Sequence, residues 1–78
     1  MSESEIIERL KNGDHEAFRA LVGTYQDRIL NGAFKFVRNI EAAEDITQEV
    51  FIETFESIRS FRGDSRLSTW LYRIMVAK

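Results

Sequence analysis

The 78-residue chain has no cysteine, no proline, one histidine and four glycines. Without cysteine there is neither a disulfide framework nor a thiolate site, and His15 alone is too little for a transition-metal centre. No apolar run approaches the roughly 20 residues of a membrane span. The start, Met1-Ser2-Glu3-Ser4-Glu5, is acidic, the wrong opening for a secretory signal, so cytoplasm is the expected compartment and membrane insertion is not expected. Repeats, low-complexity stretches and linkers are also missing, which leaves one domain over residues 1–78. A chain this short lies near the lower limit for folding alone, so its stability must come from well-packed helices or from a partner.

Catalytic constellations are scarce as well. His15 falls in the first turn of a helix with no orienting partner in the sequence and reads as a surface residue. Asp45 and Glu49 share a helix face, but no second ligand-bearing segment accompanies them. The segment Phe61 to Ser65 has one glycine and carries Asp64, which would repel an anion, so it is no phosphate loop. No enzyme activity and no cofactor are expected.

What the chain does have is 44% apolar and 31% charged residues, unevenly divided. Residues 1–58 hold twelve acidic and six basic side chains, net −6, whereas residues 59–78 hold one acidic and five basic, net +4. The overall −2 thus admits two surfaces with different partners, the basic one suited to nucleic acid, or simply the fluctuation of a small helical protein.

Apolar spacing predicts an all-α bundle of three to four helices. Ser2 and Glu5 form a capping box before a short helix with Ile6, Ile7 and Leu10 that stops at Asn12-Gly13. Asp14 caps a second helix, whose Phe18, Leu21, Val22, Tyr25, Ile29, Ala33, Phe36 and Val37 recur at three- and four-residue spacing to about Arg38. Gly23 and Gly32 inside it each cost about 1 kcal/mol relative to alanine and are expected to permit close helix packing. Asn39 caps a third helix from about Glu41 to Ser60, with Ala43, Ile46, Val50, Phe51, Phe55 and Ile58 on a wide apolar face. Its other face gathers Asp45, Gln48, Glu49, Ile52 and Glu56. Such a face is either solvated or awaits a partner, and Ile52 among the acids argues for the partner.

Phe61-Arg62-Gly63-Asp64-Ser65 breaks the pattern, with Asp64 or Ser65 available to cap a fourth helix from about Arg66. Leu67, Trp70, Leu71 and Ile74 form its core stripe; Arg66, Thr69 and Arg73 lie opposite, flanked by Tyr72 and Val76, with Trp70 at the border. Arg59, Phe61, Arg62, Arg66, Trp70, Tyr72, Arg73 and Lys78 interleave cations for phosphates with rings on which a displaced base can stack. The alternative is that Phe61, Trp70 and Tyr72 belong to the core. Val76-Ala77-Lys78 lacks glycine, asparagine or proline to end the helix, as expected of a fragment of a longer protein.

Ala43-Glu44-Asp45-Ile46-Thr47-Gln48-Glu49-Val50-Phe51, then Ser60-Phe61-Arg62-Gly63-Asp64-Ser65 and Ser68-Thr69-Trp70-Leu71-Tyr72-Arg73-Ile74, resembles region 2 of a bacterial RNA polymerase sigma factor of the extracytoplasmic-function group, within the sigma-70 family. Asn12-Gly13-Asp14 with Ala17-Phe18, Leu21-Val22 and Tyr25-Gln26 is similar to the start of that domain, so the likeness covers nearly the whole chain. The resemblance implies that Asp45, Gln48 and Glu49, and by neighbourhood Ile52, bind a coiled coil in the polymerase β′ subunit; Glu56, on the same face, is expected to join them. It also implies that Phe61, Arg62, Gly63, Asp64 and Ser65 form a loop that helps melt the promoter and captures a flipped base of the −10 element non-template strand, with Arg66, Thr69, Trp70 and Arg73 beside it. An anti-sigma factor is an implied further partner. Many members read Arg-Ile-x-x-Asn where this chain has Arg73-Ile74-Met75-Val76-Ala77, and Ala77 lacks the amide that could bond a base edge or phosphate. Members also carry a second helical domain that reads the −35 element, to which nothing in these residues corresponds. The competing expectation, from a different class, is a helical protein-interaction module that does not touch nucleic acid.

Overall fold

Three of the four helices begin at a local side-chain cap and the fourth does not. In the computed structural model, which covers residues 1–78, the order is α1 Glu3–Lys11, α2 His15–Val37, α3 Ile40–Ser57, a single 3-10 turn Ile58–Ser60, and α4 Leu67–Val76. The expectation of an all-α bundle of three to four helices holds, with four. Ser2 Oγ accepts the Glu5 amide at 3.2 Å, Asp14 Oδ1 accepts the Glu16 amide at 2.9 Å, and Asn39 Oδ1 accepts the Ala42 amide at 2.9 Å. Each satisfies a donor that the first turn of a helix otherwise leaves open. Arg38 ends α2 in the left-handed region at φ 54, its amide donating to the Phe34 carbonyl at 2.8 Å. With Asn39 immediately after, α2 and α3 become a tight antiparallel pair.

The third helix is shorter than its apolar spacing predicts. Its α-helical hydrogen bonding stops at Ser57, and residues 58–60 tighten into the 3-10 turn, which carries Ile58 into the core at 1% exposure. The capping prediction for α4 needs correction too: its N-cap is Arg66, and neither Asp64 nor Ser65 caps it. The Leu67 amide donates instead to Glu3 Oε2 at 3.2 Å, from the first turn of α1.

Leu10, Leu21, Val50, Ile58, Leu67 and Leu71 are fully buried, joining all four helices in one apolar cluster. Each such side chain contributes about 1.5–3 kcal/mol of transfer free energy. Thr47 and Thr54 are the buried polar residues, and their hydroxyls donate to the carbonyls of Ala43 and Val50 at 2.8 and 2.7 Å. No buried side-chain polar atom lacks a partner. Phe36, placed in the core pattern of α2, is instead 63% exposed, while its neighbour Val37 packs against the cluster.

The two glycines of α2 separate. A Cβ on Gly32 would lie 3.1 Å from Met75 Sδ and 3.8 Å from Tyr72 Cε1, so Gly32 does allow α4 to approach. A Cβ on Gly23 would meet nothing within 4 Å, so the packing role expected of it is absent. No helix is long and apolar enough to cross a membrane.

Candidate functional site

Two separate surfaces receive the residues singled out in the sequence. On α3, Asp45, Gln48, Glu49, Ile52 and Glu56 are all exposed and step along one side of the helix. Ile52 is 56% exposed, an aliphatic side chain left uncovered among carboxylates. The structure adds what helical spacing alone does not reveal: an open apolar groove of about 270 Å³ beside this face, lined by Phe18, Val22 and Gln26 of α2 and by Thr47, Gln48, Phe51 and Ile52 of α3. Its α2 wall was missed, since apolar periodicity marks which residues turn inward but not which edge of a helix pair stays open. His15 is exposed, with its ring 5.8 Å from that of Phe55, and Phe55 meets Phe18 edge-on at 5.1 Å. Asp45 and Glu49 belong to no group of three His or acidic side chains that could hold a metal ion.

The second surface is built by the 61–66 segment and α4. Phe61, Arg62, Asp64, Ser65, Trp70 and Arg73, together with Ser60, line an open concavity of about 210 Å³. Gly63, at φ 79, reverses the chain at its rim, a conformation that L-residues with a Cβ rarely adopt. Arg66, the N-cap of α4, and Thr69 on that helix are exposed outside the concavity. The expectation for Phe61 needs revising. Its side chain is only 6% exposed and sits in the core, with its ring centroid 5.2 Å from that of half-buried Trp70. Phe61 therefore forms the floor on which Trp70 rests, and Trp70 carries the accessible ring. Of the rings for which the sequence left a core position open, Phe61 takes it, between a helix read as ending at Ser60 and the loop residues Arg62 and Gly63.

Helix α1 secures this segment at both ends, a role that sequence reasoning also missed. Lys11 Nζ donates to the Phe61 carbonyl at 2.9 Å, and Arg59 Nε donates to the Lys11 carbonyl at 3.3 Å. At the far end, Glu3 accepts the Leu67 amide through Oε2 and the Tyr25 hydroxyl, at 3.5 Å, through Oε1. Burial and then the Glu3 carboxylate push the Tyr25 hydroxyl above its ordinary pKa, which keeps it a donor. No local sequence signal announces contacts that span some fifty to sixty residues.

Charge pairing is as uneven as the sequence suggests. Arg9 approaches Asp14 at 2.7 Å, Glu16 at 3.6 Å and Glu5 at 3.8 Å, and Lys78 pairs with Glu53. The remaining arginines and lysines, including Arg73 on α4, form no ion pair. The Lys78 ammonium is held above its ordinary pKa by its hydrogen bond to Glu53, with Glu49 and Glu56 adding to the effect.

Comparison with known proteins identifies the family. The family description Sigma-70 region 2 matches residues 21–78. The RNA polymerase sigma-H factor of Pseudomonas aeruginosa is 42% identical over 74 residues, covering 95% of this chain and 38% of that protein. The ECF RNA polymerase sigma factor SigW of Bacillus subtilis is 43% identical over 68 residues, covering 87% of this chain and 36% of that protein. The chain thus spans less than two fifths of the length of these relatives. Among solved structures, an engineered region 2 of sigmaE in complex with GTAAAA superposes with a TM-score of 0.88 at 34% identity, covering 99% of this chain and 80% of that one. With its four-helix fold and these matches, the chain belongs to the sigma-70 region 2 family, as a region 2 domain of the extracytoplasmic-function sigma factors.

Proposed function

We propose that this domain is a non-catalytic specificity module of transcription initiation in the bacterial cytoplasm, which binds RNA polymerase core through α3 and the promoter −10 element through the 61–65 loop and α4. The observation that carries the reading is the separation of the two surfaces: an acidic, apolar-centred face on α3 and a cationic, ring-bearing concavity at α4.

Asp45, Gln48, Glu49, Ile52 and Glu56 would meet the β′ coiled coil. The carboxylates supply specificity and a fast on-rate toward cationic side chains, and the groove beside Ile52 supplies desolvated contact. An anti-sigma factor competing for polymerase would cover the same face.

In the concavity, Trp70 offers a ring for a flipped base, Arg62 and Arg73 neutralise phosphates, and Asp64, Ser60 and Ser65 offer hydrogen-bonding groups to its edge. Asp64 disfavours a phosphate at that point and favours a base amine. Gly63, Phe61, Arg66 and Thr69 shape and flank the site. The sigmaE relative was solved with GTAAAA, which makes that strand the first probe to use here.

The test is a two-stage binding assay with a β′ coiled-coil fragment and then the single strand. Asp45→Arg and Gln48→Ala are expected to weaken association with the fragment while leaving helicity unchanged; unaltered capture by both variants would overturn the α3 assignment. Strand binding is expected to weaken as salt rises, and salt-independent binding would overturn the α4 assignment.

A further inference from the structure

One strip of α1 faces the 61–65 loop and is left unused by the proposed contacts with polymerase and promoter. At 100° per residue, Ser4, Ile7, Glu8 and Lys11 fall within about 100° of one another, while Ile6 and Leu10 turn to the opposite, buried side of the helix. Across an open hollow of about 280 Å³ the strip meets Arg62 and Gly63 of the loop. Phe61 and Arg62 line this hollow and also the concavity at Trp70, so the two adjoin along one short segment of chain.

The two hollows are chemically alike. In the first, Asp64 supplies a carboxylate and Ser60 and Ser65 supply hydroxyls; in the second, Glu8 supplies the carboxylate and Ser4 the hydroxyl, and Arg62 stands at both. Half-buried Ile7 takes the place of Trp70 as the apolar wall. Glu8 is exposed and in no ion pair, so its acceptor oxygens are not claimed by any cation. Lys11 donates one of its three ammonium protons to the Phe61 carbonyl at 2.9 Å and forms no ion pair, which leaves its charge for a phosphate at the rim.

We propose that this hollow is a second base subsite on the same displaced strand: a nucleotide neighbouring the one held at Trp70 presents its exocyclic amine to Glu8, with Lys11 and Arg62 on its phosphates. The inference deepens the proposed −10 reading and rests on it. A carboxylate inside the hollow repels a phosphate and accepts from the amine of adenine or cytosine, and the Ser4 hydroxyl can donate to the adjacent ring nitrogen. Guanine and thymine carry a carbonyl in place of that amine and are disfavoured. Base pairing occupies the same edge, so the subsite selects an unpaired base and excludes duplex.

The experiment measures, by fluorescence anisotropy with the 78-residue protein, affinity for GTAAAA and for four strands in each of which one adenine is replaced by purine, which lacks only the amine. At the subsite position the replacement is expected to weaken binding by about 3- to 10-fold, as for one hydrogen bond. In Glu8→Ala that position should become indifferent to the amine, while the penalties at other positions stand. The readout is a ratio between strands within one protein, so a general change in affinity cancels. Glu8 is exposed, and helicity measured by circular dichroism is expected to hold. Should Glu8→Ala lose helicity, Glu8→Lys decides with the same ratio, since a cation in the last turn of α1 favours the helix. If no adenine shows a penalty that depends on Glu8, the inference is overturned. A uniform loss on every strand with each penalty intact also overturns it, because Glu8 then only supports the loop. Should the unaltered protein bind the strand with a single amine penalty, and should that penalty disappear in Trp70→Ala instead, the inference fails alone. If the unaltered protein does not bind the strand, the −10 reading fails and takes the inference with it.

Discussion

Trp70 is the only tryptophan in the chain, half-buried on Phe61 with its rings 5.2 Å apart, at the edge of a concavity that also holds Arg62 and Arg73. On the proposed reading, stacking of a base on it is worth about 1–3 kcal/mol. Trp70→Ala should therefore weaken strand binding by about 5- to 150-fold. The same geometry makes the indole a reporter, and saturating strand is expected to quench its emission; unchanged emission at saturation would place the base elsewhere. Asp14 yields a prediction of a different kind. The Arg9 guanidinium, hydrogen-bonded at 2.7 Å, holds its carboxyl below the ordinary carboxylate range, and the Ala17 and Glu16 amides add to the effect. The folded pKa is thus lower than the unfolded one, so the stabilisation is fully present above the unfolded value near 4 and is lost as pH falls through the folded value. Thermal melts from pH 6 down to 2 should show a falling midpoint, and Asp14→Asn should lower the midpoint at pH 6 while flattening the acid slope. A parallel slope in the variant would remove Asp14 as the cause.

At the scale of elements, local signals were legible and remote ones were not. Ser2, Asp14 and Asn39 announce helix starts because a cap acts over two or three residues, and the structure shows all three bonds. Only half of the expected capping box forms, however: Ser2 receives the Glu5 amide, and the Glu5 side chain makes no return bond to Ser2. The start of α4 depends on Glu3, 64 residues earlier, and the floor of the concavity depends on Phe61 turning inward from a polar loop. Neither has a local signature. Glu3→Ala should accordingly destabilise the fold by about 0.5–1.5 kcal/mol, and it should speed hydrogen exchange at the Leu67 amide more than at amides within α2. Uniform acceleration across both helices would mean that Glu3 supports the fold without capping α4. The two glycines of α2 offer a matching contrast. Gly23→Ala meets open space and should raise stability by roughly 0.5–1 kcal/mol. Gly32→Ala must displace buried Met75 and should gain less or lose. Chemical denaturation of both variants separates the cases.

For the molecule as a whole, the charge division visible in the sequence becomes a division of surfaces, with a single core behind both. The acidic face belongs to α3 and its groove to α2 and α3, while Arg62, Arg66 and Arg73, none of them in an ion pair, lie on the 61–66 segment and α4. The molecule measures 34 × 23 × 19 Å, so its charges can lie well beyond the screening length of about 8 Å at physiological salt. Exposed, uncharged substitutions on one face should therefore leave the other unaffected, because they alter neither the core nor the field. Ile52→Ser removes an apolar contact that is already more than half in water, so its effect on folding should stay within about 0.5 kcal/mol. Capture by the β′ fragment should nonetheless fall severalfold, and affinity for the single strand should be unchanged. Thr69→Val on α4 should show the reverse pattern. Combining the two should give additive changes in both assays to within about 0.5 kcal/mol, as expected for distant sites on one rigid core. A larger departure would mean that occupying one face alters the other, and titrating the strand against the β′-bound and free domain would then show the same coupling factor from either direction.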